Sequence, residues 1–425
     1  MRTDQVFGIS PELREASYVD RGNLDSELAR LVARTTHVAV RGPSKSGKSW
    51  LRQKVLGEPI VVQCRLSKSL VDVYVDALSQ LEIRMTVKES RSSVLRASLS
   101  ASGEFGIKLL AKVGLAGSVG GDWTGGDERT PVGHDIDDLR YVAEIIKQSG
   151  RRLVLEDFHY MATDARRDFA FDLKTLWDYG VFVVIIGVWS ETNLLLHLNP
   201  DLSGRVAEVA VDWSAADLDQ IIKKGGQALN IEFSPEVSRR LVEHAYANAG
   251  VLQQLTLYAL DEAGIIERHS LKKQGLSDEN HVESAAMAYA DQLNPMYQQF
   301  AKTVSAGIRT RKDATGIYAH AMAAIMSAPD ESLIRGLHAK TIFAEAHRRQ
   351  DRIQYGNLKT ILEKLPDLQV DADGRGLILS YSAATEEISV VDRQLLLYRR
   401  YSTVKWPWED MIKEADAAGG QLDLG

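Results

Sequence analysis

Short apolar runs and amphipathic stretches alternate over the first half of the chain. The runs HVAVRG (37–42), IVVQCRL (60–66), RLVLED (152–157), VFVVIIGV (181–188) and RVAEVAVDW (205–213) have the length and β-branched content of strands. Between them, helical spacing of apolar residues runs over 25–34, from about Lys48 onward, and over 69–83, 135–148 and 164–180. The helix over 135–148 opens on several Asp residues, which the helix dipole favours, and Gly180 closes the last one. Strand–helix alternation of this kind predicts a parallel five-stranded sheet covered on both faces. The unbroken apolarity of 181–188 marks a strand buried on both sides.

Two stretches depart from that rhythm. Residues 84–134 are rich in Gly and Ser, and Phe105, Ile107 and Leu109, then Val113 and Leu115, alternate as in a strand. The pattern predicts an inserted β-hairpin followed by a loop, serving either as a plain surface loop or as a contact for a neighbouring subunit or partner. After Trp213 the strands stop. Ser214 and Ser234 are N-cap residues, Pro235 suits a first helical position, and three or four short helices follow to about 266. A polar linker over 267–283 leads to further helices. The segments 317–328, 339–349 and 355–365 are helical, 376–392 is β-like, and RQLLLYRRY forms a last helix.

Composition narrows the chemistry. The 425 residues are 44% hydrophobic and 26% charged, ordinary for a globular chain with more than one core. With 51 Lys and Arg against 58 Asp and Glu, the net charge of −7 confines any nucleic-acid contact to a local patch. The single cysteine, Cys64, lies in an apolar run, so an internal disulfide is excluded and a buried thiol in a reducing, cytoplasmic setting is expected. The N-terminal residues hold acids and no apolar core, unlike a secretory signal, and the run 181–189 is too short to span a bilayer.

Chemistry concentrates at Gly42-Pro43-Ser44-Lys45-Ser46-Gly47-Lys48-Ser49, which fits G-x-x-x-x-G-K-[ST] between a strand and a helix. Glycines let backbone N–H groups turn inward around a phosphate, and the helix N-terminus adds positive potential. Lys48 is placed to reach the β- and γ-phosphates of a nucleoside triphosphate, ATP, and Ser49 to offer its hydroxyl to Mg²⁺. The partner motif is an apolar strand ending in acid, and Leu153-Val154-Leu155-Glu156-Asp157 supplies it. One carboxylate holds Mg²⁺ and the other orients or deprotonates the attacking water. Either acid could take either place; we set Glu156 nearer the metal and Asp157 as the base. Trp189, Ser190, Glu191 and Asn193 fall at the carboxyl end of the neighbouring strand, where Ser190 or Asn193 could sense the γ-phosphate or simply form a turn. Arg205, just before the fifth strand, is either a surface arginine or a group reaching a γ-phosphate in a neighbouring subunit.

Taken together, GPSKSGKS, LVLED, the apolar fourth strand, Arg205 and the helices after Trp213 resemble AAA+ and STAND-type P-loop ATPases, in the branch with origin-recognition-like and signal-transducing members. The resemblance covers roughly residues 17–265. It implies an α/β P-loop NTPase core with a helical lid. It also implies that Tyr18-Val19-Asp20-Arg21 pack near adenine, with Trp50 and Arg21 among the nucleotide-binding residues. The segment Asn248 to Gln254 lacks the Arg or Gly-x-Pro by which such lids sense nucleotide, and Gln254 is a weak substitute. The C-terminal third resembles a winged helix-turn-helix, with 376–392 as the wing and Asn357, Lys359 and Lys364 near Arg348, Arg349 and Arg352, so DNA through 339–365 or a protein is its expected partner.

The expected organisation is an arm (1–22), an ATPase core (23–213), a lid (214–266), a linker (267–283), a helical and winged-helix-like α+β domain (284–403) and a tail (404–425). The expected function is an ATP-driven switch, homo-oligomeric and acting on a separately encoded protein effector, in a setting such as bacterial defence or mobile elements. The alternatives are a DNA-binding initiator or transposition regulator, and a structural ATP binder with negligible turnover.

Overall fold

The computed structural model describes residues 1–65, 68–88, 96–113, 132–135, 139–189, 191–307, 316–369 and 376–422. Helix α1 (Leu24–Val32) precedes strand β1 (His37–Arg41), the glycine-rich loop and α2 (Lys48–Val55). Strand β2 (Ile60–Gln63) leads to α3 (Leu70–Ser79), which Ser69 caps by accepting from Asp72 N–H while Asp72 bonds back to the Ser69 N–H. After the inserted region come α5 (Arg140–Ser149), β6 (Leu153–Glu156), α6 (Thr163–Asp178), β7 (Val183–Gly187), α7 (Leu194–Leu198) and β8 (Val206–Ala210). Within the insertion lie β3 (Ile83–Lys88), β4 (Arg96–Ala101), α4 (Glu104–Lys112) and β5 (Val132–Asp135).

The five predicted strands form one parallel sheet in the order β2-β6-β7-β1-β8. Its centre is dry. Val183, Val184, Ile185 and Ile186 are all at most 3% exposed, each burial contributing about 1.5–3 kcal/mol. Alternate residues of these strands face two separate cores. Ile60, Leu153, Leu155, Val183 and Ile185 pack with α3, α5 and α6, whereas Val38, Val40, Val154, Val184 and Ile186 pack with α1 and α2. His37 links the layers: Val183 N–H donates to Nδ1 at 2.9 Å, leaving Nε2–H to donate to Leu173 O at 2.9 Å.

The insertion corrects two expectations. A hairpin exists, but it is β3 paired antiparallel with β4, with β5 on the other side of β4. Phe105, Ile107 and Leu109 belong to a helix, in which Gly106, Leu109 and Leu110 are buried and Phe105 and Ile107 are exposed. The buried set follows i, i+3, i+4, a spacing that an alternating reading of the same residues conceals. Leu115 and most of the expected mobile loop lie outside the described residues. The helix expected over 135–148 begins only at Arg140, because Asp135 pairs with Arg96 in the small sheet.

The chain then enters α8 (Ala215–Leu229), β9 (Ile231–Phe233), α9 (Pro235–His244) and α10 (Ala249–Glu262), capped by Ser214, Ser234 and Asn248. The expected linker holds β10 (Gln274–Leu276), which pairs parallel with β9. The 27-residue α11 (Asn280–Ala306) runs from it along α10. Beyond it lie α12 (Ile317–Ser327), α13 (Asp330–Arg335), β11 (Leu337–His338), α14 (Ala339–Arg349), α15 (Tyr355–Gln369), β12 (Leu379–Ser382), β13 (Glu387–Val390), α16 (Gln394–Tyr401) and α17 (Pro407–Leu422). The short strands form an antiparallel sheet in the order β11-β13-β12, giving the C-terminal part an α+β make-up. It shares one continuous hydrophobic core with the α8–α11 helices. Among the described residues no helix is long and apolar enough to cross a membrane.

Burial holds the His37 pKa down to about 4, against an ordinary 6.5. The unfolded chain therefore binds the extra proton in that interval, and stability falls as pH drops through it, at up to about 1.4 kcal/mol per pH unit. Urea midpoints at pH 7 and pH 5 should show a drop that is smaller in a His37→Gln variant, which starts from a lower stability at pH 7.

Candidate nucleotide site

The loop from Gly42 to Gly47 leaves the carboxyl end of β1 and turns into α2, with Lys45 (φ 59°) and Gly47 (φ 88°) in the left-handed region. A Cβ on Gly42 would lie 2.8 Å from Val211 O, so the loop starts tight against the chain leaving β8. Its backbone groups are satisfied from four directions. Trp213 Nε1–H donates to Ser46 O (2.8 Å), Asn248 Nδ2–H to Ser44 O (2.8 Å) and Gly250 N–H to Lys45 O (3.0 Å), while Ser44 N–H donates to Val391 O (2.8 Å). Lys48 Nζ donates to Gly42 O at 3.1 Å and Pro43 O at 2.6 Å. Burial lowers the Lys48 pKa to about 8, opposed by the nearby charges of Asp157 and Glu156.

Around this loop lies a cavity of about 270 Å³. Its phosphate side is formed by Ser44 to Ser49 with Glu156 and Asp157; its far side is formed by Gly8, Ile9, Ser10, Trp50 and Gln253. Ser10 O accepts from the Trp50 indole at 3.0 Å, and the Gln53 amide clasps the following turn by donating to Pro11 O (2.7 Å) and accepting from Leu13 N–H (2.9 Å). The arm segment on the cavity is thus 8–10 and not 18–21, as the resemblance implied. Tyr18 and Val19 are buried elsewhere, and the buried Arg21 guanidinium lies 4.1 Å over the Trp213 ring, supporting the loop from behind. Arg21 keeps Nε and Nη2 without hydrogen bonds, and burial lowers its pKa.

The two acids are in different situations. Glu156 is 5% exposed and has both oxygens engaged, one by Arg52 Nε at 2.8 Å and the other by Gln63 Nε2 at 2.7 Å. Asp157 stands in the left-handed region (φ 56°) and is exposed at the cavity, and its carboxylate accepts no hydrogen bond among the described residues. Desolvation raises its pKa, with the Glu156 charge adding to the rise and Lys48 opposing it. Its backbone turn buries Phe158 and brings His159 and Tyr160 to the cavity wall. His159 accepts the Val188 N–H on Nδ1 at 3.2 Å, and burial lowers its pKa to about 3, leaving a neutral ring.

Other expected residues stand away from the loop. Arg205 precedes β8 beside His37, at the opposite end of the sheet from the loop, with its guanidinium 4.8 Å over the Trp177 ring and donating to Asp201 O. Asn193 turns its N–H to Glu208, which also pairs with Arg41 at 2.7 Å. Trp189 is buried, and Ser190 lies outside the described residues. In the C-terminal part, Arg348 and Arg349 pair with Glu345 (2.7 and 2.8 Å) and Lys359 with Glu386 (2.6 Å), which spends much of the expected basic patch internally.

No protein-family model and no curated protein matches the chain. Among solved structures, the Walker-type ATPase of Pyrococcus abyssi superposes with a TM-score of 0.54 at 14% identity, covering 93% of this chain and 99% of that one. The fold is that of a P-loop ATPase. The ORC1 protein of Aeropyrum pernix in complex with DNA (13% identity, 89% and 92% of the two chains) and the RuvB Holliday junction branch migration motor of Thermotoga maritima (10%, 90% and 96%) are also similar, at TM-scores of 0.40 and 0.37.

Within this P-loop ATPase fold, the residues that sequence reasoning missed are Gly8 to Ser10, His159, Trp213, Asn248, Gly250 and Val391. Asn248 and Gly250 had one available signal, an N-cap followed by a glycine at the mouth of the lid. A Cβ on Gly250 would fall 2.6 Å from the Lys45 Cβ and 2.7 Å from Lys45 O. A Gly250→Ala variant should push the start of α10 off the loop and lose about 1–3 kcal/mol, read as a lower thermal midpoint.

Proposed function

We propose that this chain is an ATP-binding and ATP-hydrolysing switch whose nucleotide state is read by its C-terminal α+β, winged-helix-like part. The observation that carries this reading is the hydrogen bond from Ser44 N–H, within the phosphate loop, to Val391 O at the end of β13. Loop and C-terminal part cannot change independently while that bond stands. A triphosphate entering the cavity would exchange the Lys48 contacts with Gly42 O and Pro43 O for phosphate oxygens. The loop would have to readjust next to Ser44, which gives the two ligand states different contacts with the C-terminal part.

The donor set fits the group it would hold. Inward backbone N–H groups, a buried lysine and the N-terminus of α2 suit a polyphosphate. The Ser49 hydroxyl and the free oxygens of Asp157 suit a hard divalent cation such as Mg²⁺, which supplies charge neutralisation between the phosphates. Because Glu156 is held by Arg52 and Gln63, Asp157 is the acid we assign both to the cation and to orienting a water beside it, with Glu156 contributing fixed negative potential in place of the metal contact expected of it. Ile9 and Trp50 offer the apolar walls a purine needs. Homo-oligomerisation and a separate protein effector belong to the same reading. Arg205, stacked on Trp177, would act in a neighbouring subunit only after leaving that ring. The internal pairing of Arg348, Arg349 and Lys359 gives the DNA-binding alternative less support than the switch.

A Lys48→Ala variant should lose ATP binding by calorimetry. Asp157→Ala should bind ATP within a few-fold of the parent and lose turnover in a phosphate-release assay. Unchanged turnover there would reassign the water-orienting role to Glu156, and absent turnover in the parent would leave a structural ATP binder. Light scattering of the parent with ADP against a non-hydrolysable ATP analogue tests assembly, a larger species being expected with the analogue.

A further inference from the structure

His159 lies two residues beyond the acid pair and has no part in the assignment above. Its ring lines both the nucleotide cavity and a second cavity of about 160 Å³, set between the phosphate loop and the C-terminal part. Ser44 and Lys45 form one wall of that second cavity, and Gln369, Ile378 and Asp392 belong to the wall opposite. The orientation of the ring is fixed. Val188 N–H is a backbone amide and can only donate, so Nδ1, which receives it at 3.2 Å, is the unprotonated nitrogen. The proton is then on Nε2, at the far edge of the ring from Val188, and Nε2–H makes no hydrogen bond among the described residues. A neutral imidazole in this tautomer is a single donor on the wall shared by the two cavities.

The ring also has a mechanical neighbour. Tyr160 packs on it with centroids 4.2 Å apart and planes 35° from parallel. The Tyr160 hydroxyl in turn stands where a Cβ on Gly376 would meet it at 2.8 Å, so the chain entering β12 lies close against that hydroxyl. A displacement of the His159 ring therefore reaches the C-terminal part through one packed side chain.

We propose that His159 donates its Nε2–H to the terminal phosphate of a bound nucleoside triphosphate, and that Tyr160 transmits this contact to the C-terminal part at Gly376. His159 is in this role a positioning residue that separates triphosphate from diphosphate. The proposal rests on the nucleotide reading of the cavity and adds the group that counts phosphates.

The test uses the full chain with ADP and a non-hydrolysable ATP analogue, each titrated with Mg²⁺ present. In His159→Ala, affinity for the analogue should fall about tenfold, equivalent to about 1.4 kcal/mol, with ADP affinity within twofold of the parent. His159→Gln, which keeps an amide donor on a side chain of similar reach, should recover most of the loss. Equal weakening of both ligands would show a structural role and overturn the proposal, as would no change in either. Binding of neither ligand by the unaltered chain would instead refute the nucleotide reading, and this proposal with it. For the relay, limited proteolysis of the C-terminal part should differ between ADP and analogue. In Tyr160→Ala that difference should vanish while the affinity ratio stays, and its persistence would overturn the relay.

Discussion

A loop whose backbone turns around a phosphate pairs few of its carbonyls within itself, and buried carbonyls without partners are costly. That constraint organises much of this molecule. Ser46 O is met by Trp213 from the chain leaving β8, Ser44 O by Asn248 and Lys45 O by the backbone of Gly250, both from the lid, and the carbonyls of Gly42 and Pro43 by Lys48 of the loop's own helix. The Ser44 N–H is met by Val391 of the C-terminal part, while the Ser46 N–H stays within the loop on Pro43 O. Core, lid and C-terminal part thus converge on six residues for a local reason, the pairing of backbone groups, and their convergence makes those residues a sensor of anything that rearranges them.

The same division by backbone and side chain explains what could be read from the sequence. The phosphate loop was legible because its demands fall on residue types: glycines at tight turns, a lysine, a hydroxyl. The five strands were legible because Val and Ile runs such as 181–188 have no other use in a chain of this composition. The grip of the lid and of the C-terminal part on the loop was hidden, since Gly250 and Val391 contribute a backbone N–H and C=O that any residue carries. The insertion was misread because Phe105 and Ile107 are exposed apolar residues. They contributed to an apparent alternation while the buried positions, Gly106, Leu109 and Leu110, followed a helix. The placement of Arg205 follows from the parallel sheet itself: a residue that precedes β8 lies at the end opposite the loop, which follows the carboxyl end of β1.

Electrostatics divides the acids more sharply than their adjacency suggests. Glu156 ends β6 with its carboxylate inside a clasp formed by α2 and β2, so its charge is fixed in place. Asp157, one residue on, has left the strand for a left-handed turn, and its charge is free to meet a ligand. An acid pair read as metal-side Glu156 and base-side Asp157 is thus found in two different settings, with Glu156 held on both oxygens and Asp157 without a hydrogen bond among the described residues. The C-terminal part repeats the lesson: its basic residues look like a patch in the sequence, and in the fold Glu345 pairs with Arg348 and Arg349 and Glu386 with Lys359.

The arm at the start of the chain is anchored twice. Thr3 N–H donates to Ile266 O, Met1 O accepts from Arg268 N–H, and Phe7 is buried against Gly225, all on the lid side. Ser10 to Leu13 are held by Trp50 and Gln53 on the core side. Between the two anchorages stand Gly8, at φ 102°, and Ile9. The arm is therefore a strap joining lid and core across the cavity, and these two residues are themselves tied: Gly8 O accepts from Arg14 Nη1 at 3.2 Å and Ile9 N–H donates to Gln254 Oε1 at 3.4 Å. A change in the spacing of lid and core would therefore be felt along this strap, at the Gly8 and Ile9 contacts as well as at its two anchorages.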